Sequence, residues 1–259
     1  MLDVIDIYRE PLFFWFPVVT TLVSMGSFLV FAVPLTLLAW RQPAWAEKYR
    51  IQKRRMKADR IVGPSVRYWL RNNAILAVLT IAAWPLLRLS GVHMGPAPPV
   101  WLIVVQVLGF LYLDDFLYYW MHRTMHRGWL YQRVHSVHHR VPTPWAISAH
   151  HMHPVEFCLT GALMLLGPVV LGAHVVTVYV WVIVRQWEAA EGHSGYELPF
   201  SPSHLVPGYG GAEYHDFHHS RFHGNYSGFL GYLDGWFGTY AEGYRERVAH
   251  RKRTGRQRP

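Results

Sequence analysis

The segment Pro11–Trp40, PLFFWFPVVTTLVSMGSFLVFAVPLTLLAW, decides the fold class of this 259-residue chain. It contains thirty residues without Asp, Glu, Lys or Arg, whereas a helix needs only about 20 apolar residues to cross the hydrocarbon core of a bilayer. Asp3, Asp6 and Glu10 precede it, where a cleaved secretory signal would carry basic residues. The segment therefore predicts a transmembrane helix that is retained.

Two further apolar segments follow in the first half of the chain. Ala74–Leu87 is shorter, but the side chain of Arg88 can extend toward the headgroups and lengthen it. Residues 99–113 are uncharged and continue through Asp114 and Asp115 into FLYYWMH, whose aromatic residues are typical of a membrane interface. These runs, in a chain that is 51% hydrophobic, predict an all-α integral membrane bundle of three to four helices.

The basic residues orient this bundle. Between Arg41 and Arg71 there are ten Lys and Arg residues against two acidic ones, and the tail from Arg245 to Arg258 adds seven more. By the positive-inside rule these segments are expected on the cytoplasmic side. The formal net charge of +9 is then explained by topology and by attraction to anionic membrane lipids, and no nucleic-acid partner is expected.

The segment 157–184 has to be reconciled with this topology. It contains 28 uncharged residues, interrupted by Gly167-Pro168 and by Gly172-Ala173-His174. A continuous helix of that length would reach about 42 Å, enough for one crossing, and would place the histidines before and after it on opposite sides of the membrane. We therefore predict a partial hairpin that turns near residues 167–172 and keeps both histidine groups in one cytoplasmic helical cap.

The spacing H-x-x-H-H occurs twice, as HSVHH at residues 135–139 and HDFHH at residues 215–219, and HRTMH begins at residue 122. Spacings of three and four place the rings on one side of a helix, so each triplet is expected to aim at one region. Imidazole binds iron, zinc, copper or nickel, and the single cysteine leaves no Cys-based zinc site. Eight such rings exceed the needs of one ion and predict a site for two. The predicted ligands are His122, His126, His135, His138, His139, His215, His218 and His219, with His153 and His193 as further candidates.

Other residues near the histidine boxes are candidates for supporting roles. Metal-bound imidazoles usually donate their second N–H to a carboxylate or a carbonyl group. Ordinary ion pairs are the alternative for the carboxylates, and core packing is the alternative for the aromatic residues. The carboxylate candidates are Asp115, Glu156, Glu188, Glu191 and Asp216; the candidates for the wall of a substrate pocket are Tyr118, Trp120, Trp145, His150, His151 and Trp187. Structural roles are expected for His93, His174, His204, His223 and His250.

The ordered set HRTMH, HSVHH, HPVE, HSGYELP and YHDFHH, followed by NYSGFLGYLDGWFGT, resembles the sterol desaturase/fatty acid hydroxylase superfamily. The resemblance covers roughly residues 114–240, which are expected to form the catalytic region of one domain spanning residues 1–259, with a basic tail at 245–259. Within the superfamily, residues 191–219 look most like methylsterol monooxygenases. Residues 141–154, VPTPWAISAHHMHP, also look like sterol C-5 desaturases.

This resemblance implies a non-haem di-iron monooxygenase that uses O2 and two electrons from a separate protein, such as a cytochrome b-type protein, a ferredoxin or a reductase. It implies a lipid substrate, first of all the C-4 methyl group of a methylsterol, with sterol C-5 desaturation or fatty acyl hydroxylation as alternatives. Zinc is the alternative to iron in recombinant samples, because imidazoles accept both metals. The expected location is a bacterial inner membrane or the endoplasmic reticulum, with the site at the cytoplasmic face. A histidine-rich metal transporter and an inactive scaffold relative are the rivals from other classes.

Overall fold

The structure, a computed structural model, describes residues 5–54 and 56–254. Its regular elements over these residues are helices, as predicted. The helices are α1 (Pro11–Arg41), α2 (Ala58–Leu87), α3 (Val100–Met125), α4 (Gly128–Arg133), α5 (Pro154–Val170), α6 (Val175–Gly192), α7 (Gly211–Arg221), α8 (Tyr232–Phe237) and α9 (Tyr244–Thr254). Short 3-10 helices cover Asp6–Arg9, Ala44–Tyr49, His135–Arg140, Ala146–His150 and Pro202–His204.

Helices α1, α2 and α3 are long and apolar enough to cross a membrane, with 31, 30 and 26 residues and mean hydropathies of 2.1, 1.4 and 1.8. The expected crossing helices are therefore confirmed. Helix α2 is longer than its apolar part, because its polar first half, from Ala58 to Asn73, continues the same helix beyond the apolar segment. The outward faces carry large exposed apolar residues that suit a lipid environment, including Leu22, Val30, Val78, Leu86, Val104 and Val105.

Helices α5 and α6 form the predicted hairpin, joined by residues 171–174. Gly172 takes a positive φ of 57° in the turn, and the His174 ring caps α6 by accepting a hydrogen bond from the N–H of Val176. The turn meets the connection between α2 and α3: the N–H of His93 donates to Ala173 at 3.3 Å, and the N–H of Val175 donates to His93 at 3.0 Å. The hairpin thus extends to the end of the bundle opposite His122.

Two apolar clusters fill the bundle. The cluster at the histidine end joins Phe28 and Trp69 to the segment Trp145–Ile147 and to Tyr196. The cluster at the other end contains Phe16, Trp84, Phe110, Trp181 and Phe229. Since α1 packs along α6 and α3 packs against α5, the hairpin is enclosed by the crossing helices, and the end of α6 is held at the histidine end.

The C-terminal basic segment forms a helix that docks on the cap. In α9, Arg247 and Arg251 reach the buried carboxylate of Glu213 at 3.0 and 2.7 Å. Residues 255–259 of the expected basic tail lie outside the described residues. Part of the positive charge assigned to topology is therefore used to attach α9 to α7.

The close approach of Gly91 and Gly172 predicts that a side chain at position 172 destabilises the protein. A Cβ atom on Gly172 would lie 2.9 Å from the carbonyl oxygen of Gly91, and the positive φ disfavours any side chain. We expect Gly172→Ala to destabilise the protein by about 1–3 kcal/mol and to lower its Tm in detergent. Gly26→Ala, where a Cβ meets no atom within 4 Å, is the control; equal Tm values for both variants would contradict the close approach.

Candidate metal centre

Nine histidine rings converge where the end of α3, the 3-10 helix at 135–140, the end of α6 and helix α7 meet. They form two groups, and within each group the ligand nitrogens lie within 4.8 Å of one another. The first group is His122, His126, His135, His139 and His218; the second group is His138, His193, His215 and His219. The early and late boxes, eighty residues apart in sequence, are therefore brought together.

The spacing of the nitrogen atoms suits metal coordination. In the first group the Nε2 atoms of His135 and His126 are 2.9 Å apart, and those of His135 and His139 are 3.0 Å apart. In the second group the Nε2 atom of His215 is 3.0 Å from that of His193 and 3.1 Å from that of His219. An ion held about 2.1 Å from imidazole nitrogens at right angles would separate neighbouring nitrogens by about 3 Å.

Hydrogen bonds at the outer ring nitrogens set the direction of the inner ones. The Nδ1 atoms of His122, His193 and His218 each lie 2.8 Å from a backbone carbonyl oxygen, of Tyr226, Ala189 and Gly224 respectively. A carbonyl oxygen only accepts, so Nδ1 carries the proton in these rings. Each Nε2 atom then presents a lone pair to its group, as in metal-bound imidazoles.

Protonation of the rings in both groups is disfavoured. Burial and the neighbouring rings lower the pKa values of His135, His218 and His219 well below the ordinary value for histidine. Neutral rings with converging lone pairs repel one another unless a cation lies between them. The donor set thus fits two metal ions, and its all-nitrogen chemistry suits iron, zinc, copper or nickel.

Each H-x-x-H-H box divides its rings between the two groups, which differs from the expectation that a triplet aims at one region. In α7, His215 and His219 belong to the second group and His218 to the first. At 100° per residue, a ring four positions after His215 is displaced by about 40°, and one three positions after it by about 60° in the other direction. The 3-10 segment divides likewise, with His135 and His139 in the first group and His138 in the second.

His153 is the one predicted ligand that the structure does not bring into either group. Its Nδ1 atom accepts a hydrogen bond from the N–H of Val155 at 3.2 Å and caps helix α5. A histidine directly before a proline at the first helical position is suited to this role. His193, the other additional candidate, lies inside the second group.

Among the hydrogen bonds of the described residues, Glu156 is the one predicted carboxylate that contacts a ligand ring. Its Oε1 atom lies 2.7 Å from Nδ1 of His135, and the residue is 2% exposed. Asp115 is linked to a ligand ring only through a loop. Its Oδ1 atom accepts hydrogen bonds from the N–H groups of Gly228, Phe229 and Leu230. The carbonyl oxygen of Tyr226 in the same loop accepts a hydrogen bond from His122.

The other three carboxylates have different partners. Asp216 accepts from the side-chain amide of Gln52 at 2.9 Å. Glu191 accepts from the hydroxyl groups of Ser201 and Tyr209. Glu188 pairs with Arg185 on the same helix.

A small cavity of about 70 Å³ ends on the second group, at His193 and His215. Tyr118 and His150 line it, as expected for a pocket. The other pocket candidates lie elsewhere: Trp145 in the apolar core, Trp120 against Phe237, Trp187 against Tyr209, and His151 against Ser65.

Sequence reasoning missed the polar residues of the cavity wall, which include Ser24, Arg185 and Gln186. They come from α1 and α6, which lie far apart in sequence, so their meeting depends on how the hairpin packs. One feature of the sequence could have identified Arg185. It directly follows the uncharged segment 157–184, and a charged residue at the end of an apolar membrane segment commonly has a functional role.

Comparisons with known proteins agree with this geometry. The profile of the fatty acid hydroxylase family matches residues 107–239. A very-long-chain aldehyde decarbonylase of Oryza sativa subsp. indica is 40% identical over 227 residues, covering 84% of this chain and 85% of the relative. Methylsterol monooxygenase 2-2 of Arabidopsis thaliana is 35% identical over 233 residues, covering 86% of this chain and 87% of the relative. No solved structure matches the chain significantly.

The division into two groups predicts the metal content of single variants. His218→Ala removes a ligand from the first group and His138→Ala one from the second, so we expect each variant to fall from two bound ions per chain toward one. Metal analysis of iron-loaded protein measures this. His153→Ala is the matched control and should keep both ions; a full complement in His218→Ala would contradict the assignment.

The contact between Glu156 and His135 predicts a graded effect on affinity. We expect Glu156→Leu to weaken metal binding by roughly 10–100-fold, because the His135 ring loses the acceptor that orients it. Glu156→Gln keeps an acceptor oxygen and should lose less. Competition with a chelator of known affinity measures the difference, and equal affinities in all three proteins would show that the carboxylate does not support the site.

Proposed function

Because the chain belongs to the fatty acid hydroxylase family, we propose that it is a membrane-bound di-iron monooxygenase that oxidises a lipid with O2. The substrate we propose is a methylsterol, oxidised at its C-4 methyl group. The single observation that carries this proposal is the position of the cavity at the second histidine group, directly beside an apolar cleft between the membrane helices with which it shares four wall residues.

Beside this cavity lies an apolar cleft of about 370 Å³ between α1, α2 and α5. The two spaces share Ser24, Leu76, Gly161 and Met164 in their walls. The outer cleft is lined by apolar residues such as Phe16, Leu79 and Leu165. The adjacency of the two spaces supports entry of a lipid from the bilayer toward the second histidine group.

Oxidation of an unactivated C–H bond is beyond any side chain acting as acid or base. Bound iron would supply the activation of O2, and the protein supplies position and a dry site. One oxygen atom enters the lipid as a hydroxyl group and the other leaves as water, with two electrons and two protons taken up. The nine imidazoles hold the metal, Glu156 and the backbone carbonyls orient the rings, and the apolar cavity excludes water from the reacting carbon.

The two electrons require a donor. We propose a separate electron-transfer protein, of the cytochrome b, ferredoxin or reductase type, acting at the cytoplasmic face. The ten basic residues between Arg41 and Arg71 and the basic helix α9 support this orientation. They belong to the end of the molecule that carries the histidine groups, since α9 docks on α7.

Decarbonylation of a very-long-chain aldehyde is a second candidate. It is favoured by the 40% identity to the rice relative that bears this name. The similarity of residues 191–219 to methylsterol monooxygenases, and the 35% identity to a protein of that name, favour the sterol. A transport function is disfavoured because the ligand rings are buried and closely packed rather than spaced along a path through the membrane.

Turnover by purified protein tests the proposal. Iron-loaded chain in lipid nanodiscs, supplied with a chemical or enzymatic reductant, is given a 4,4-dimethyl sterol or a very-long-chain aldehyde under normal and oxygen-free atmospheres. We expect O2-dependent addition of one oxygen atom to the sterol methyl group, detected by mass spectrometry with labelled O2.

His153→Ala should retain this activity, and His138→Ala should lose it together with its metal. Conversion of the aldehyde alone would select the second candidate. Full activity of a metal-stripped preparation would refute the proposal.

A further inference from the structure

A buried charged pair lies in the cavity wall and has no part in holding metal. Arg185 and Glu188 are one turn apart on α6, and Arg185 is 7% exposed. The guanidinium group donates to the Glu188 carboxylate, and its Nε atom lies 3.0 Å from Oδ2 of Asp114 on α3. The Arg185 side chain also packs over the rings of Tyr118 and Phe229. The guanidinium is thereby held rigidly between α3 and α6.

Two carboxylates, those of Asp114 and Glu188, pair with the single positive charge of Arg185. Asp114 alone would neutralise Arg185 and tie α3 to α6. Glu188 adds a second negative charge inside an apolar bundle, where an unmatched charge is costly. Because Glu188 lines the cavity, a hydrogen-bond donor bound there would offset that cost.

The position of the pair relative to the metal ligands is fixed by one helix. Arg185, Glu188, Ala189 and His193 all line the same cavity, at helical spacing along α6. Five residues separate Glu188 from His193, which is about 7–8 Å along the helix axis. A group bound at Glu188 therefore lies close to a carbon presented to the second histidine group. The rest of the wall is largely apolar and includes Leu76, Ala149, Met152, Phe157 and Met164.

We propose that Arg185 and Glu188 form the subsite that binds a hydroxyl group on the lipid, near the carbon that is oxidised. The hydroxyl donates its hydrogen to the Glu188 carboxylate and accepts from the Arg185 guanidinium. This inference rests on the proposed function and narrows its substrate class. In a 4-methyl sterol the 3-hydroxyl group stands on the ring carbon next to the one that bears the methyl group, whereas an aldehyde oxygen only accepts and has no hydrogen to donate to Glu188.

A pair of lipids that differ only in this hydroxyl group tests the subsite. A 4,4-dimethyl sterol and its 3-deoxy counterpart are given to the full-length protein in nanodiscs. Binding to metal-free protein and turnover by iron-loaded protein are measured separately. We expect the wild type to prefer the hydroxylated lipid by roughly 100-fold or more in kcat/KM, because a buried site made for a hydroxyl group is left unpaired by its analogue.

Glu188→Gln preserves the shape of the side chain and removes its charge. We expect it to reduce the preference about tenfold, and Glu188→Leu to abolish it, while both variants keep the iron content of the wild type. Glu197→Gln is the matched control, since Glu197 is a buried carboxylate that bonds to Ser203 in the cap, away from the cavity. It should keep the wild-type preference.

The outcomes separate this inference from the function on which it rests. If the wild type oxidises both lipids equally and binds them equally, the subsite is refuted and the monooxygenase function stands. If Glu188→Leu retains the preference, the subsite is also refuted. If the wild type oxidises neither lipid, the proposed function fails, and the binding measurement still decides whether Glu188 recognises the hydroxyl group.

Discussion

The convergence of neutral imidazole nitrogens is the constraint on which the rest of the structure depends. Nine rings point lone pairs at two small volumes, with Nε2 atoms near 3 Å from one another. Such an arrangement is repulsive without cations and strongly favourable with them. Each surrounding feature, from the carbonyl acceptors at Nδ1 to the burial of Glu156, keeps the rings in the orientation and protonation state that a metal requires.

The membrane helices are arranged so that the histidine rings can meet. A hairpin between α5 and α6 returns the chain to the side from which it came, so that His193 meets the rings supplied by the earlier boxes. The same hairpin presents Arg185 and Glu188 to the cavity. Helix α6 therefore contributes both to the cavity wall and, through His193 at its end, to the second histidine group.

Much of this arrangement could be predicted from the sequence, because it depends on local patterns. Uninterrupted apolar runs predicted the crossing helices, and the requirement that the histidine groups meet predicted the hairpin. Eight rings of the three boxes, together with His193, lie in the two groups. What could not be predicted depends on tertiary packing: the division of each H-x-x-H-H box between the two histidine groups, the capping role of His153, and the burial of Trp145 in the core rather than in the cavity wall.

The division of each box has a consequence for how the protein is made. Ligands of the first group extend from His122 to His218, and those of the second from His138 to His219. During synthesis neither group is complete until the ribosome has passed residue 219, by which time α1, α2, α3 and the hairpin have all been translated. Metal binding by a complete group can therefore occur only late in synthesis, and each group links the region of residues 122–139 to that of residues 215–219.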